Sequence, residues 1–386
     1  MLINTKAKNK QSGVALITAM IITTIAVSVA TMIMYRQQIQ IRLSSNISNL
    51  EQSYLYATGM EDWAATILEK SYKDHTTYDS YEDDWYSDNA LVLPIEGGVM
   101  TGKLYDLQAR ININSLNIPP PVPQNGADQV KNDQNDPTKK GAGANGTNAS
   151  SPGTNINKKK PDIAKINRAR LIKLISNIDE DQDLEAPDSF VDILKDWVDR
   201  DDINGNIKDR GDGSGYGAET PYYQSLEPAY YSANTEMVSP TELRLLKGMK
   251  EKIYQKLKDQ VSTLPIRRFN KTNEIPINVN TAEDEVFKAI GFTPDTINQI
   301  KEARKDNPFK TIKEFKTRFI PNADVNNGGI NAENLGVKSD YFLLEGTVEI
   351  NNARLFINSI LERNNGQVSV IMRDLSNPNV ITKVIK

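Results

Sequence analysis

Residues Val14–Met34 read VALITAMIITTIAVSVATMIM, a run with neither a charge nor a proline. At ~1.5 Å rise per residue, a helix of this length covers about 31 Å, enough to cross the hydrocarbon of a bilayer. The other residues have a soluble composition. The whole chain has 386 residues, is 38% hydrophobic and 25% charged, and carries a formal charge of -4, so a single apolar run calls for its own explanation. Lys6, Lys8 and Lys10 precede it in a short leader ending at Gly13, while Arg36 and Arg42 follow. The denser charge on the leader predicts that it stays cytoplasmic and that the remainder faces outward. A cleaved secretory signal would have a shorter apolar core followed by a small-residue break, and none interrupts this run.

Past the span, Ile39, Leu43, Ile47, Leu50, Tyr54, Ala57 and Met60 or Glu61 keep the three-and-four spacing of one helical face. One helix from about Val14 to Lys70 is expected, half in lipid and half laid on a sheet. Ser71 to Asn89 reads as a loop with aromatic anchors, including Trp85. Val99 onward offers two short strands with a turn or bulge at Gly102. Tyr341–Ile350, Arg354–Arg363 and Gln367–Arg373 are β-rich and are expected to complete the same sheet in antiparallel fashion. The stretch 119–161 is rich in Pro, Gly, Asn and Lys, lacks core-forming side chains, and is expected to be a poorly ordered insertion.

The chain has no cysteine and one histidine, His75, which rules out disulfides, thiol nucleophiles and histidine-based zinc sites. No enzyme, catalytic residue or organic cofactor site is expected. Lys+Arg 46 against Asp+Glu 50 gives no broad cationic field for a nucleic acid.

Phe190, Ile193, Leu194 and Trp197 form the apolar face of a helix that Asp188 or Ser189 is expected to cap. An acidic, glycine-rich loop follows. Its carboxylates at Asp199, Asp201, Asp202, Asp209 and Asp212 are the candidate ligands for a hard cation, which prefers oxygen donors. The spacing is not that of an EF-hand, because aligning Asp202, Asn204 and Asn206 puts Ile207 where glycine is required. A solvated acidic loop without an ion is the competing reading. Ser239-Pro240-Thr241-Glu242 is a helix start and Gly248 a stop. In Ile277–Phe309, Asn280 or Thr281 is expected to cap one helix, Gly291-Phe292-Thr293-Pro294 to turn the chain, and Pro308 to end a second helix. The Ile-Asn phrases at 111–114 and 277–280 lie near the two proposed ends of a helical region.

A basic leader ending in glycine before an apolar helix resembles type IV prepilins and type II secretion pseudopilins, with Gly13-Val14 as the matching peptidase bond. Most of these have glutamate at the fifth mature position. Thr18 stands there, as in the general secretion pathway protein K family, the K-type minor pseudopilin, which lacks that charge. Trp197, the following aspartates and Tyr222-Tyr223 resemble that family's acidic segment, and Ile277–Phe309 resembles its helix-hairpin-helix unit.

The resemblance implies an α+β fold: a transmembrane pilin helix on an antiparallel sheet, with a large helical domain inserted. Boundaries follow as 1–13 leader, 14–34 transmembrane half, 35–118 outer helix and first sheet part, 119–161 insertion, 162–335 helical domain, and 336–386 remaining sheet. It further implies processing at Gly13 and Val14, assembly without a charge pair at Thr18, and calcium at the acidic loop. The implied place is the inner membrane, single-pass with a periplasmic domain, at the tip of a pseudopilus that supports protein export. The implied partners are the other minor pseudopilins, especially the I and J types, the major pseudopilin, the inner-membrane secretion platform, prepilin peptidase and the lipid bilayer. Nucleic acid is not expected, although helix-hairpin-helix units also occur in DNA-uptake receptors, which with envelope adhesion gives the alternative function.

Overall fold

Helix α1, Ser12–Asp74, is unbroken from the leader junction to the aromatic loop. The computed structural model describes residues 12–118, 162–179, 184, 186–202, 217–268, 271–272, 275–321, 330 and 332–376. The leader before Ser12 and the insertion 119–161 lie outside the described residues. The chain forms two units: Met1–Thr76 with Asp83–Tyr105 and Asp340–Lys386, and Thr77–Glu82 with Asp106–Ser339.

In the first unit, residues 13–48 of α1 are exposed throughout. The hydroxyls within the apolar run bond to carbonyls one turn back: Thr24 to Met20, Ser28 to Thr24 and Thr31 to Val27. This removes their polar cost without a partner chain. Burial begins only at Ser53 and continues through Ala57, Met60, Glu61, Ala64 and Leu68. The predicted stripe is therefore covered over its last part alone, and Ile39, Leu43, Ile47 and Leu50 stay exposed.

What covers it is a five-stranded sheet, β1 (Leu91–Ile95), β2 (Gly98–Asp106), β3 (Tyr341–Ile350), β4 (Ala353–Asn364) and β5 (Gln367–Asp374), in that order. The pairs β1–β2, β3–β4 and β4–β5 are antiparallel. Asn365 and Gly366 both have positive φ between β4 and β5, the backbone that a tight two-residue hairpin needs. Gly102 does not turn the chain as expected. It lies inside β2, and a Cβ there would sit 2.7 Å from Met60 Sδ; at Gly346 the figure is 2.6 Å. The two glycines make room for a helix side chain against the sheet. Glu61, buried at 3% exposure, accepts from Arg373 Nε at 2.8 Å and also bonds Ser359. Trp85 meets Phe342 edge-on at 5.2 Å.

The second unit holds α2 (Ile163–Ile178), α3 (Pro187–Val198), α4 (Thr220–Gln224), α5 (Glu251–Leu257), α6 (Asp284–Ile290), α7 (Pro294–Asp306) and α8 (Ile312–Phe319). Their apolar faces share one core that includes Leu174, Trp197, Leu257, Phe287 and Phe315. Two expected caps are corrected. Helix α3 starts after Ala186 with no side-chain cap, because Pro187 occupies its first position and has no N–H to satisfy. Helix α6 starts after Glu283, also without a side-chain cap, because Asn280 and Thr281 are used elsewhere. Ser239 and Glu242 do form the reciprocal capping box, on a 3-10 turn, Pro240–Leu245.

The two Ile-Asn phrases are built alike. Ile111-Asn112 pairs in parallel with Val261-Ser262, and Ile277-Asn278 with Leu335-Gly336. In each, the first asparagine accepts from the N–H of the second, Asn114 or Asn280. The second then clips one distant residue by both backbone groups. Asn114 holds Met237 at 2.8 and 2.9 Å, and Asn280 holds Phe309 at 2.9 and 3.0 Å.

Candidate metal site

Helix α3 buries Phe190, Leu194 and Trp197 at 3%, 0% and 2% exposure, and that fixes where its last acids lie. Trp197 Nε1 donates to Glu242 Oε2 at 3.1 Å, whose other oxygen accepts from the backbone of Val238 and Ser239. The indole thus ties the helix end to the capping box. Asp199 is the C-cap of α3. A helix C-terminus is already partly negative, so acids gathered there gain nothing from the dipole and favour a cation.

Carboxylate oxygens of Asp199, Asp201 and Glu219 lie within 4.8 Å of one another. Glu219 arrives from across the acidic loop as the residue before α4, and it is 3% exposed. Among the described residues, both its carboxylate oxygens, Asp199 Oδ1 and Asn234 Oδ1 are buried without a hydrogen-bond partner. Burial, then Asp196 and Asp199, pushes the Glu219 carboxyl up to about 8. Burial, then Asp201 and Asp196, pushes Asp199 up to about 7, against the pull of Lys195. Clustered acids that resist ionisation together, with buried oxygens aimed nowhere else, fit an oxygen-coordinated cation.

The chain passes very close at Gly217, where a Cβ would fall 1.6 Å from Asp196 Oδ2. Of the expected ligands, the structure brings Asp199 and Asp201 together. Asp202 stands beside them and accepts from Asn234 Nδ2 at 2.8 Å. Asp209 and Asp212 lie outside the described residues. Glu219 belongs to the acidic run in the sequence, but its ligand geometry appears only when the loop ends meet. Asn234 had no signal beyond its type.

The helix-hairpin-helix stretch is α6, a turn at Gly291 with φ 115, and α7. Lys301 and Arg304 are used internally. Lys301 pairs with Asp284 at 3.1 Å, and Arg304 donates to the carbonyls of Val279 and Ala282 at 3.2 and 2.7 Å.

A profile described as "Type II secretion system (T2SS), protein K" matches residues 109–266. Type II secretion system protein K of Aeromonas hydrophila is 28% identical over 95% of this chain and 97% of its own length. The chain is similar to type II secretion system protein K over nearly its whole length. The protein of that name from Pseudomonas aeruginosa is 26% identical, over 95% of this chain and 93% of its own length. A solved chain from the GspK-GspI-GspJ complex of the enterotoxigenic Escherichia coli type 2 secretion system has the same fold. It superposes with a TM-score of 0.63 at 22% identity, covering 86% of this chain and 99% of that one. The expected α+β fold is thus the one observed.

Proposed function

We propose that this protein is a minor pseudopilin at the tip of the type II secretion pseudopilus, anchored by the Val14–Met34 part of α1 in the inner membrane with the sheet and the helical unit in the periplasm, where it supports assembly and export. The observation that carries this reading is α1: one continuous helix, uncharged from Val14 to Met34 and exposed through residue 48, of which only the far end is covered by its own sheet. Such a surface is stable only in lipid or against like helices. Thr18 supports a terminal place, since its hydroxyl bonds back to Val14 and Ala15 at 3.0 Å and offers no charge to another subunit's new N-terminus. A largely apolar groove of about 440 Å³ lined by Leu50, Glu51, Tyr54, Leu55, Leu355 and Leu375 supports lateral contact with the I- and J-type pseudopilins. The major pseudopilin and the secretion platform are then met through α1, and prepilin peptidase acts at Gly13-Val14. A photo-crosslinker at Leu50 in intact envelopes should capture another minor pseudopilin; capture of outer-surface proteins or DNA alone would overturn the tip reading.

In the same reading the acid cluster holds calcium through Asp199, Asp201 and Glu219, with Asn234 and Asp202 alongside. When bound, the ion supplies the positive charge that lets these acids ionise together and closes the ends of the acidic loop on α3. Titration calorimetry on the full chain in detergent should show calcium uptake that the double substitution Asp199→Asn with Glu219→Gln abolishes. Undiminished uptake in a folded double variant would remove these ligands.

A further inference from the structure

Asp106 is buried at 4% exposure and gathers four donors. Its Oδ1 accepts from Gln108 N at 2.8 Å. Its Oδ2 accepts from Thr281 Oγ1 at 2.5 Å, Ser339 Oγ at 2.6 Å and Asn278 Nδ2 at 3.2 Å. Segments far apart in the chain thus meet on one carboxyl. Asn278 Nδ2 also reaches the carbonyl of Asp79, whose own carboxylate accepts from Ser339 N at 2.9 Å.

We propose that Asp106 is a proton-sensing clasp of the helical unit, which holds its converging segments in both protonation states and more tightly as the surroundings acidify. The geometry provides for both states. When the carboxyl is ionised, the Thr281 hydroxyl donates to it. When it is protonated, it donates to Thr281 Oγ1, and that hydroxyl turns to the carbonyl of Asn278, already 3.5 Å away. No hydrogen bond is lost in the exchange, so protonation relieves a buried charge without orphaning a donor.

Of the charged groups around the clasp, Asp79 favours its protonation. Asp79 adds a like charge from the segment 77–82, and Tyr81 on that segment is hydrogen-bonded to Glu283 and lies under Arg304. Burial, opposed by the bonds from Ser339, Thr281 and Gln108, lifts Asp106 from 3.8 to about 6. A folded-state value above the unfolded one means that this group's contribution is full below the unfolded value and is lost as pH rises through about 6.

Hydrogen exchange on the full chain in detergent, read as opening constants at residues 277–282 with intrinsic rates divided out, tests this. Wild type should open roughly tenfold less at pH 5 than at pH 7.5. Asp106→Asn should flatten that response, and Asp79→Asn, which keeps the carboxyl but removes its like-charge neighbour, should move it to lower pH. Thr281→Ser should preserve it. A flat wild type, or the same slope in wild type and Asp106→Asn, would overturn the proposal. If Asp106→Asn does not fold, an unmoved response in Asp79→Asn would do so.

Discussion

Glu219 illustrates how one side chain becomes a candidate ligand through its surroundings. A carboxylate with both oxygens buried and unbonded is costly unless it is protonated or meets a cation. Gly217 matters for a steric reason, because any side chain there strikes Asp196. Gly217→Ala should therefore displace the entry of α4, weaken calcium uptake at least tenfold and leave the sheet unit unchanged, as titration calorimetry and far-UV circular dichroism can read. The type of chemistry was legible in the sequence, since oxygen donors crowd the stretch after Trp197. The ligand set was not, because Glu219 comes near Asp199 and Asn234 near Asp202 only when the chain folds back.

Among the elements, the asparagine clips show how short segments are fastened without long strands. The parallel pairs they accompany are two residues long, too short to hold by their own ladder. Asn280→Ala would leave the N–H and C=O of Phe309 buried and unbonded. The expected loss is about 3 kcal/mol, read as a lower thermal unfolding midpoint, and Asn114→Ala should act alike at Met237. The sequence marks these phrases as a repeat, but reads Asn280 and Thr281 as helix caps. Both are small polar residues before a helix, and only their distant partners, Phe309 and Asp106, reveal the other use. In β3, Gly346→Val would overfill the space taken by Met60 of α1. It should destabilise the sheet unit by about 1–3 kcal/mol, seen as faster hydrogen exchange in β3 and β4.

At the scale of the molecule, the sheet draws its strands from both sides of the helical unit: β1 and β2 precede it and β3 to β5 follow. A chain ended at Ser339 therefore keeps only the β1–β2 hairpin, and Ala57, Met60, Ala64 and Leu68 lose their cover. Such a truncation should leave the outer half of α1 open to protease in membranes, whereas the intact chain resists.

The sequence by itself determined the membrane-length helix, its continuation outward, the terminal strands and the acidic segment, because charge, periodicity and β-branched content are local properties. The tertiary structure alone decided where burial of α1 begins, which acids converge, and what Asp106, Asn280 and Arg304 hold. Those depend on partners such as Ala282, 22 residues from Arg304, and Ser339, 233 residues from Asp106, and a side chain's chemistry does not announce the neighbour that will satisfy it.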